Sequence, residues 1–160
     1  MSSTSQDVVR RVFEATNARD VEGLRGLYAP EFRLNGTTTT FDEFATGFGQ
    51  FFAAFPDARG AVDQYVVEGG TVAARWTTEA THLGDYAGAP ATGRRVSWHG
   101  TTMYRIEGGK VVEMWQTADL LDLMQQIGAV VPARRTAGGG PIRFQVRPSR
   151  NGDGAPGGPL

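Results

Sequence analysis

The joints Glu68-Gly69-Gly70 and Glu107-Gly108-Gly109 most constrain what this chain can become. Each sits between two runs of strand-like alternation, 61–68 and 71–81 around the first, 95–107 and 110–116 around the second. Paired glycines reach the positive φ angles that a two-residue hairpin turn demands. The second half of the domain is therefore expected to be two hairpins of one four-stranded antiparallel sheet. Upstream the period is helical. Val8, Val9, Val12, Phe13 and Thr16 share a face over residues 5–18, with Thr4 or Ser5 placed as the cap. Asp20 heads a short second helix, expected to bury Leu24, Leu27 and Tyr28 and to stop at Pro30, with Phe32 and Leu34 in a brief strand after it.

The third helix has the clearest start. Thr40-Phe41-Asp42-Glu43 reads as a capping box, and Phe41, Phe44, Phe48, Phe51, Phe52 and Phe55 follow, mostly on one stripe, until Pro56. Such a stripe is core, or core that doubles as the wall of a pocket. Asp119 can cap a last helix carrying Leu120, Leu121, Leu123, Met124 and Ile127, closed by Gly128. Helices first, then a long antiparallel sheet, then a capping helix indicate the α+β class. A strongly bent sheet wrapped over the N-terminal helices would form a cone whose open mouth is a ligand cavity.

Residues 1–131 are expected to form the domain and 132–160 a separate tail. That tail holds 12 Gly or Pro among 29 residues and reads as disordered. Within it, 142–146 alternates well enough for a short strand that docks on the domain or on a partner subunit. A net charge of −1 gives no reason to expect nucleic acid or an anionic membrane as partner. With no cysteine there is neither a disulfide framework nor a thiolate site, and no apolar run approaches membrane-spanning length. A cytoplasmic setting is expected. The chain lacks HExxH and GxSxG patterns, and His82 and His99 sit too far apart in sequence to suggest a metal site without carboxylates placed by folding, so neither cofactor nor metal is expected.

The residues left to carry chemistry are few. Asp119 follows an aromatic strand end, where apolar walls would raise its pKa and suit acid/base work; the alternative is a plain helix cap. His82 stands where a strand runs into a Gly/Pro loop, as a proton carrier or as the anchor of that loop. Trp98, Gly100, Thr102, Tyr104 and Ile106 share one strand face, with His99 on the other. Trp98, Thr102 and Tyr104 are therefore expected to line the pocket. On the last strand Val112, Met114 and Gln116 should oppose Glu113 and Trp115. Asn35 either binds a substrate oxygen or only forms the Asn35-Gly36 turn.

Three stretches carry a family resemblance over residues 5–130. They are Thr81-His82-x-Gly84…Gly88-x-Pro90-x-Thr92-Gly93, Tyr104-Arg105-Ile106-Glu107-Gly108-Gly109-Lys110-Val111-Val112-Glu113-x-Trp115-x-x-x-Asp119, and Leu123…Gln126-x-Gly128. Together they resemble the SnoaL-like polyketide cyclases of the NTF2-like superfamily. The resemblance implies a cone, a homodimer, no cofactor, and closure or rearrangement of a ring in a hydrophobic polyketide-type substrate. Its best-known members use a pocket aspartate helped by a histidine, a glutamine and an asparagine. Here Gln116 stands at the aspartate position, Thr102 at the histidine and Gly100 at the glutamine, while Asn35 keeps its counterpart. The Trp115-x-x-x-Asp119 pattern looks instead like the branch containing an indane-forming cyclase. In that reading Asp119 and His82 move protons, Phe48, Phe52, Trp98, Thr102, Tyr104 and Trp115 fold the substrate, and Asn35 or Gln116 binds an oxygen. Two rivals share the fold. An epoxide-opening hydrolase or cyclase would need paired carboxylates, for which Asp63 and Glu79 are the further candidates; a binding protein would release its ligand unchanged.

Overall fold

The first helix starts where a hydroxyl and a carboxylate satisfy each other's backbone. In the computed structural model, which describes residues 4–132 and 144–146, Thr4 and Asp7 close a capping box on α1 (Ser5–Ala18). Thr40 and Glu43 do the same for α3 (Phe41–Ala54), as the sequence predicts. Between them α2 (Val21–Leu27) is capped by Asp20, and α4 (Leu120–Gln126) is capped by Asp119.

The strands are β1 (Tyr28–Leu34), β2 (Thr37–Thr40), β3 (Arg59–Glu68), β4 (Thr71–Thr81), β5 (Arg95–Glu107) and β6 (Lys110–Ala118), paired in the order β2-β1-β6-β5-β4-β3. Both Gly-Gly joints turn hairpins, with Gly69, Gly108 and Gly109 at positive φ. The sheet is mixed rather than wholly antiparallel, because β1 runs parallel to β6. Residues Asn35 and Gly36, both at positive φ, turn β1 into β2, so the threonine run 37–40 is a strand that the helical reading of its neighbours hides.

Tyr28 and Pro30 also depart from expectation. Tyr28 opens β1 instead of closing α2, and Pro30 lies inside the strand. The β1–β6 register breaks between Tyr28 and Arg33, and β1–β2 pairing begins at Glu31. Pro30 thus falls where no ladder partner calls for the N–H it lacks. Beyond the sheet, β7 (Val130–Pro132) pairs antiparallel with β8 (Phe144–Val146), within the stretch that alternates in the sequence. The remainder of the Gly/Pro-rich tail lies outside the described residues.

Inward side chains form two apolar clusters. One gathers α1, α2 and the start of α3 against Tyr104, Val111 and Met114; the other gathers Phe55, Trp76, Trp98 and Leu123. Phe13 packs against both. On β5 the alternation is unbroken, with Val96, Trp98, Gly100, Thr102, Tyr104 and Ile106 all buried. Gly100 is fixed by its neighbours: a Cβ there would lie 2.4 Å from the Thr117 carbonyl oxygen and 2.5 Å from Trp76 Cζ2. Gly100→Ala should therefore destabilise the fold by about 1–3 kcal/mol, measured as a lower urea midpoint. An unchanged midpoint would mean that the Trp76 indole is free to move aside.

Candidate functional site

The two clusters do not meet everywhere, and the seam between them is a cavity of about 110 Å³. Four phenylalanines of the α3 stripe (Phe44, Phe48, Phe51 and Phe52) form one wall. Trp76 and Thr78 of β4, Trp98, Thr102 and Tyr104 of β5, and Met114 and Gln116 of β6 form the opposite one. Helix α1 contributes Val12, Phe13, Thr16 and Asn17, and β1 contributes Tyr28. Arg19 braces this frame, its guanidinium 3.8 Å above the Phe52 ring while it donates to the Pro56 carbonyl. Asn17 joins α1 to β3 through paired hydrogen bonds with the Gly60 backbone, at 2.8 and 2.9 Å.

No Asp, Glu, Lys, Arg or His is among the residues that line this cavity. Its titratable groups are Tyr28 and Tyr104, whose hydroxyls burial pushes up from the ordinary value of 10.0. Both remain neutral donors at physiological pH. Trp76 Nε1 donates to Thr102 Oγ1 at 3.0 Å. Trp98 Nε1, equally buried, has no hydrogen-bond partner among the described residues. A buried N–H left unpaired costs roughly 1–3 kcal/mol.

Of the residues singled out in the sequence, Phe48, Phe52, Trp98, Thr102, Tyr104 and Gln116 come together on the cavity wall. Four others do not. Trp115 points to the opposite sheet face, half exposed, with Nε1 donating to Glu113. Asp119 continues the same parity. Gln116 and Ala118 turn inward, so Asp119 turns outward, caps α4 through the Asp122 amide and stands 3.9 Å from His99 Nε2. Asn35 sits in the β1–β2 turn, where its Oδ1 accepts from the Gln116 amide at 2.8 Å. It does not line the cavity, yet it fixes the strand from which Gln116 enters it. The carboxylates of Asp63 and Glu79 are held by Thr77 and Arg95, away from the lining.

His82 is fully buried behind the wall, against Phe55. The loop after it is pinned at its base, His82 donating to the Arg94 carbonyl and Gly93 to the His82 carbonyl. The turn Tyr86–Ala89, with Ala87 and Gly88 at positive φ, lays Tyr86 on Phe51 and Phe55. Thr92 Oγ1 accepts from the Arg94 amide and lies within hydrogen-bond distance of His82 Nδ1, at 3.0 Å. The other ring nitrogen, Nε2, meets no partner among the described residues. The motif from Thr81 to Gly93 therefore builds a clamp. The wall residues that sequence reading missed, above all Trp76 and Thr78, carried a usable signal: they alternate with Ala74 and Ala80 on the inward face of β4.

The fold and this seam define an α+β protein with a partly open, uncharged, aromatic cavity. The model of the SnoaL-like polyketide cyclase family matches residues 6–127, and the chain belongs to that family. It is 29% identical over 138 residues to the aklanonic acid methyl ester cyclase DnrD of Streptomyces peucetius, covering 81% of this chain and 94% of that one. Among solved structures it resembles IdmH, a candidate polyketide cyclase from Streptomyces antibioticus, with a TM-score of 0.73 and 28% identity over 79% of this chain and 99% of that one. It also resembles AclR, a candidate hydroxylase from Streptomyces galilaeus, with a TM-score of 0.71 and 28% identity over 78% and 80% of the two chains.

Burial lowers the His82 pKa from the ordinary 6.5. The folded state then favours the neutral ring, so this contribution to stability is complete above pH 6.5 and is lost as the pH falls through that value toward the folded pKa. Thermal denaturation should show a decline beginning near pH 6.5 that His82→Gln removes. A wild-type midpoint that is level down to about pH 4.5 would contradict the assignment.

Proposed function

We propose that this protein closes or rearranges a ring in an uncharged, hydrophobic polyketide-type intermediate, by holding the reacting end between aromatic walls. The observation that carries the reading is the lining itself: aromatic rings and neutral donors, with no ionised side chain. A cavity of about 110 Å³ is on the scale of the ~150 Å³ that accepts a benzene and is open on one side, so at most one ring is held between the walls while the remainder of a larger molecule stays at the mouth. Such a wall suits a step in which no charge is created and discharged on the protein. An enol carbon bonding to a carbonyl carbon of the same chain is one. The enol proton ends on the former carbonyl oxygen, and the product is an isomer of the substrate. Holding the two carbons in contact contributes on the order of several kcal/mol. Gln116 and the Tyr104 hydroxyl are placed to hold or relay that proton, and Phe48, Phe52, Trp98 and Thr102 to shape the fold of the substrate. Asp119 and His82 serve as cap and clamp. Gln116 at the family's aspartate position and the Trp115-x-x-x-Asp119 pattern support the indane-forming branch.

The first test is the metabolite profile of a host lacking the gene, in which a compound isomeric with the lost product should accumulate. With that compound, Gln116→Leu should lower kcat/KM by about ten- to a hundredfold, and Asp119→Asn should leave it within about twofold. The kcat/KM should be level between about pH 6 and 9, since the cavity tyrosines titrate above that range. Loss of turnover in Asp119→Asn would return that carboxylate to the chemistry.

We also propose that the working unit is a homodimer joined through the outer face of the sheet. Val66, Ala73, Met103 and Trp115 are successive cross-strand neighbours over β3, β4, β5 and β6. Val66 is 60% exposed, Met103 50% and Trp115 50%. An apolar row across four strands is best covered by a second copy. Light scattering should give twice the chain mass, and Trp115→Glu should give a folded monomer; a wild-type monomer at micromolar concentration would exclude the dimer.

A further inference from the structure

We propose that Gly60 determines which substituted rings the cavity admits: the side chain it lacks leaves room for a small uncharged substituent, of methyl or hydroxyl size, on the ring that enters. The inference rests on the reading of this cavity as a substrate pocket. Gly60 lies inside β3, pairs with Thr78 and lines the cavity beside it. It is partly exposed rather than sealed in the core. A glycine inside a strand weakens the strand and needs a reason. Other glycines of the sheet show theirs. A Cβ on Gly100 would lie 2.4 Å from a carbonyl oxygen, and Gly69, Gly108 and Gly109 turn hairpins at positive φ. Neither reason holds at Gly60. Its φ is outside the left-handed region, and the bulge of β3 falls further on, between Val62 and Gln64. A Cβ there would meet Thr78 Oγ1 at 3.5 Å and the Phe13 ring at 3.6 and 3.7 Å, ordinary contacts with nothing nearer among the described residues.

Nor does Asn17 require a glycine, because its two bonds go to the Gly60 carbonyl and N–H, which alanine would keep. The reason left for a bare backbone on this wall is the close approach of a ligand. The same two bonds tie β3 to α1, so the backbone at Gly60 is held in place against whatever rests on it. The neighbours select the substituent. The Thr78 hydroxyl lies on one side of the space above Gly60 and the Phe13 ring on the other. With no Lys, Arg or His in the lining, a charged substituent would be unpaired there, whereas a methyl or hydroxyl carries no charge to desolvate. One methyl group separates glycine from alanine, and a difference of that size in an apolar pocket is enough to sort substrates by about tenfold or more.

Toluene and benzene, which differ by one methyl group, test this by NMR on isotope-labelled protein. The toluene methyl should give nuclear Overhauser contacts to the Gly60 α-protons and to the Phe13 ring. Gly60→Ala should melt at or above the wild-type temperature. It should lower the affinity for toluene about tenfold and leave that for benzene within about twofold. If toluene binds against Phe48 and Phe52 without touching Gly60, or if the variant binds both probes as the wild type does or weakens both equally, the inference is overturned and the apolar pocket stands. A variant that melts lower or fails to fold would show that packing keeps the glycine, and would overturn it as well. If neither probe perturbs any residue of the lining, the pocket reading falls too.

Discussion

The arrangement of the site depends on an indole lying across a glycine. Trp76 reaches over β5 at Gly100, where no side chain but hydrogen fits, and locks there by donating to Thr102 Oγ1 at 3.0 Å. This places a flat, rigid ring at the boundary between two apolar clusters and keeps it out of the space between them. A larger residue at position 100 would drive the indole into that space, and the two clusters would close into one ordinary core. Phe13, which packs on both clusters, spans the seam from the helical side. The cavity is thus what two well-packed clusters leave when one glycine and one tryptophan keep them apart.

What the sequence made legible is what is decided locally. The Thr40–Glu43 capping box, the cap at Thr4, both Gly-Gly hairpins and the alternation along β5 need only a few adjacent residues, and each stands as its pattern predicts. The parallel pairing of β1 with β6 was not legible, because it joins segments some eighty residues apart, as in the Asn35–Gln116 bond. Parity explains the divided site. Trp98, Thr102, Tyr104 and Gln116 face the cavity because strand alternation carried them there, and Phe48 and Phe52 because they lie one helical turn apart on α3. The same alternation sent Trp115 and Asp119 outward, and a carboxylate at a helix start satisfies its cap with no cavity at all. His82 is a different case. A lone histidine beside a Gly/Pro loop looks the same in sequence whether it moves protons or clamps the loop, and only the structure shows its contacts with Thr92 and Phe55, behind the cavity wall.

Charge is distributed here with a consistent sign of purpose. Ionised groups are spent on the surface, in pairs such as Arg95–Glu79 and Arg105–Glu113, or in caps such as Asp7 and Glu43. The cavity keeps only groups that hydrogen-bond without ionising near neutral pH: amides, hydroxyls, phenols and two indoles. A carboxylate moved into that wall would lose its water and either rise in pKa or demand a counter-charge. Gln116 avoids both while presenting a donor and an acceptor of similar reach. It cannot remove a proton from carbon, so any proton transfer in this cavity must begin from a group of the substrate that is already acidic, such as an enol. Chemistry of that kind needs its partners held close and oriented more than it needs a strong base. Under the proposed function, the rigidity supplied by Trp76, by the phenylalanine stripe and by the Arg19 brace on Phe52 serves the reaction as well as the fold.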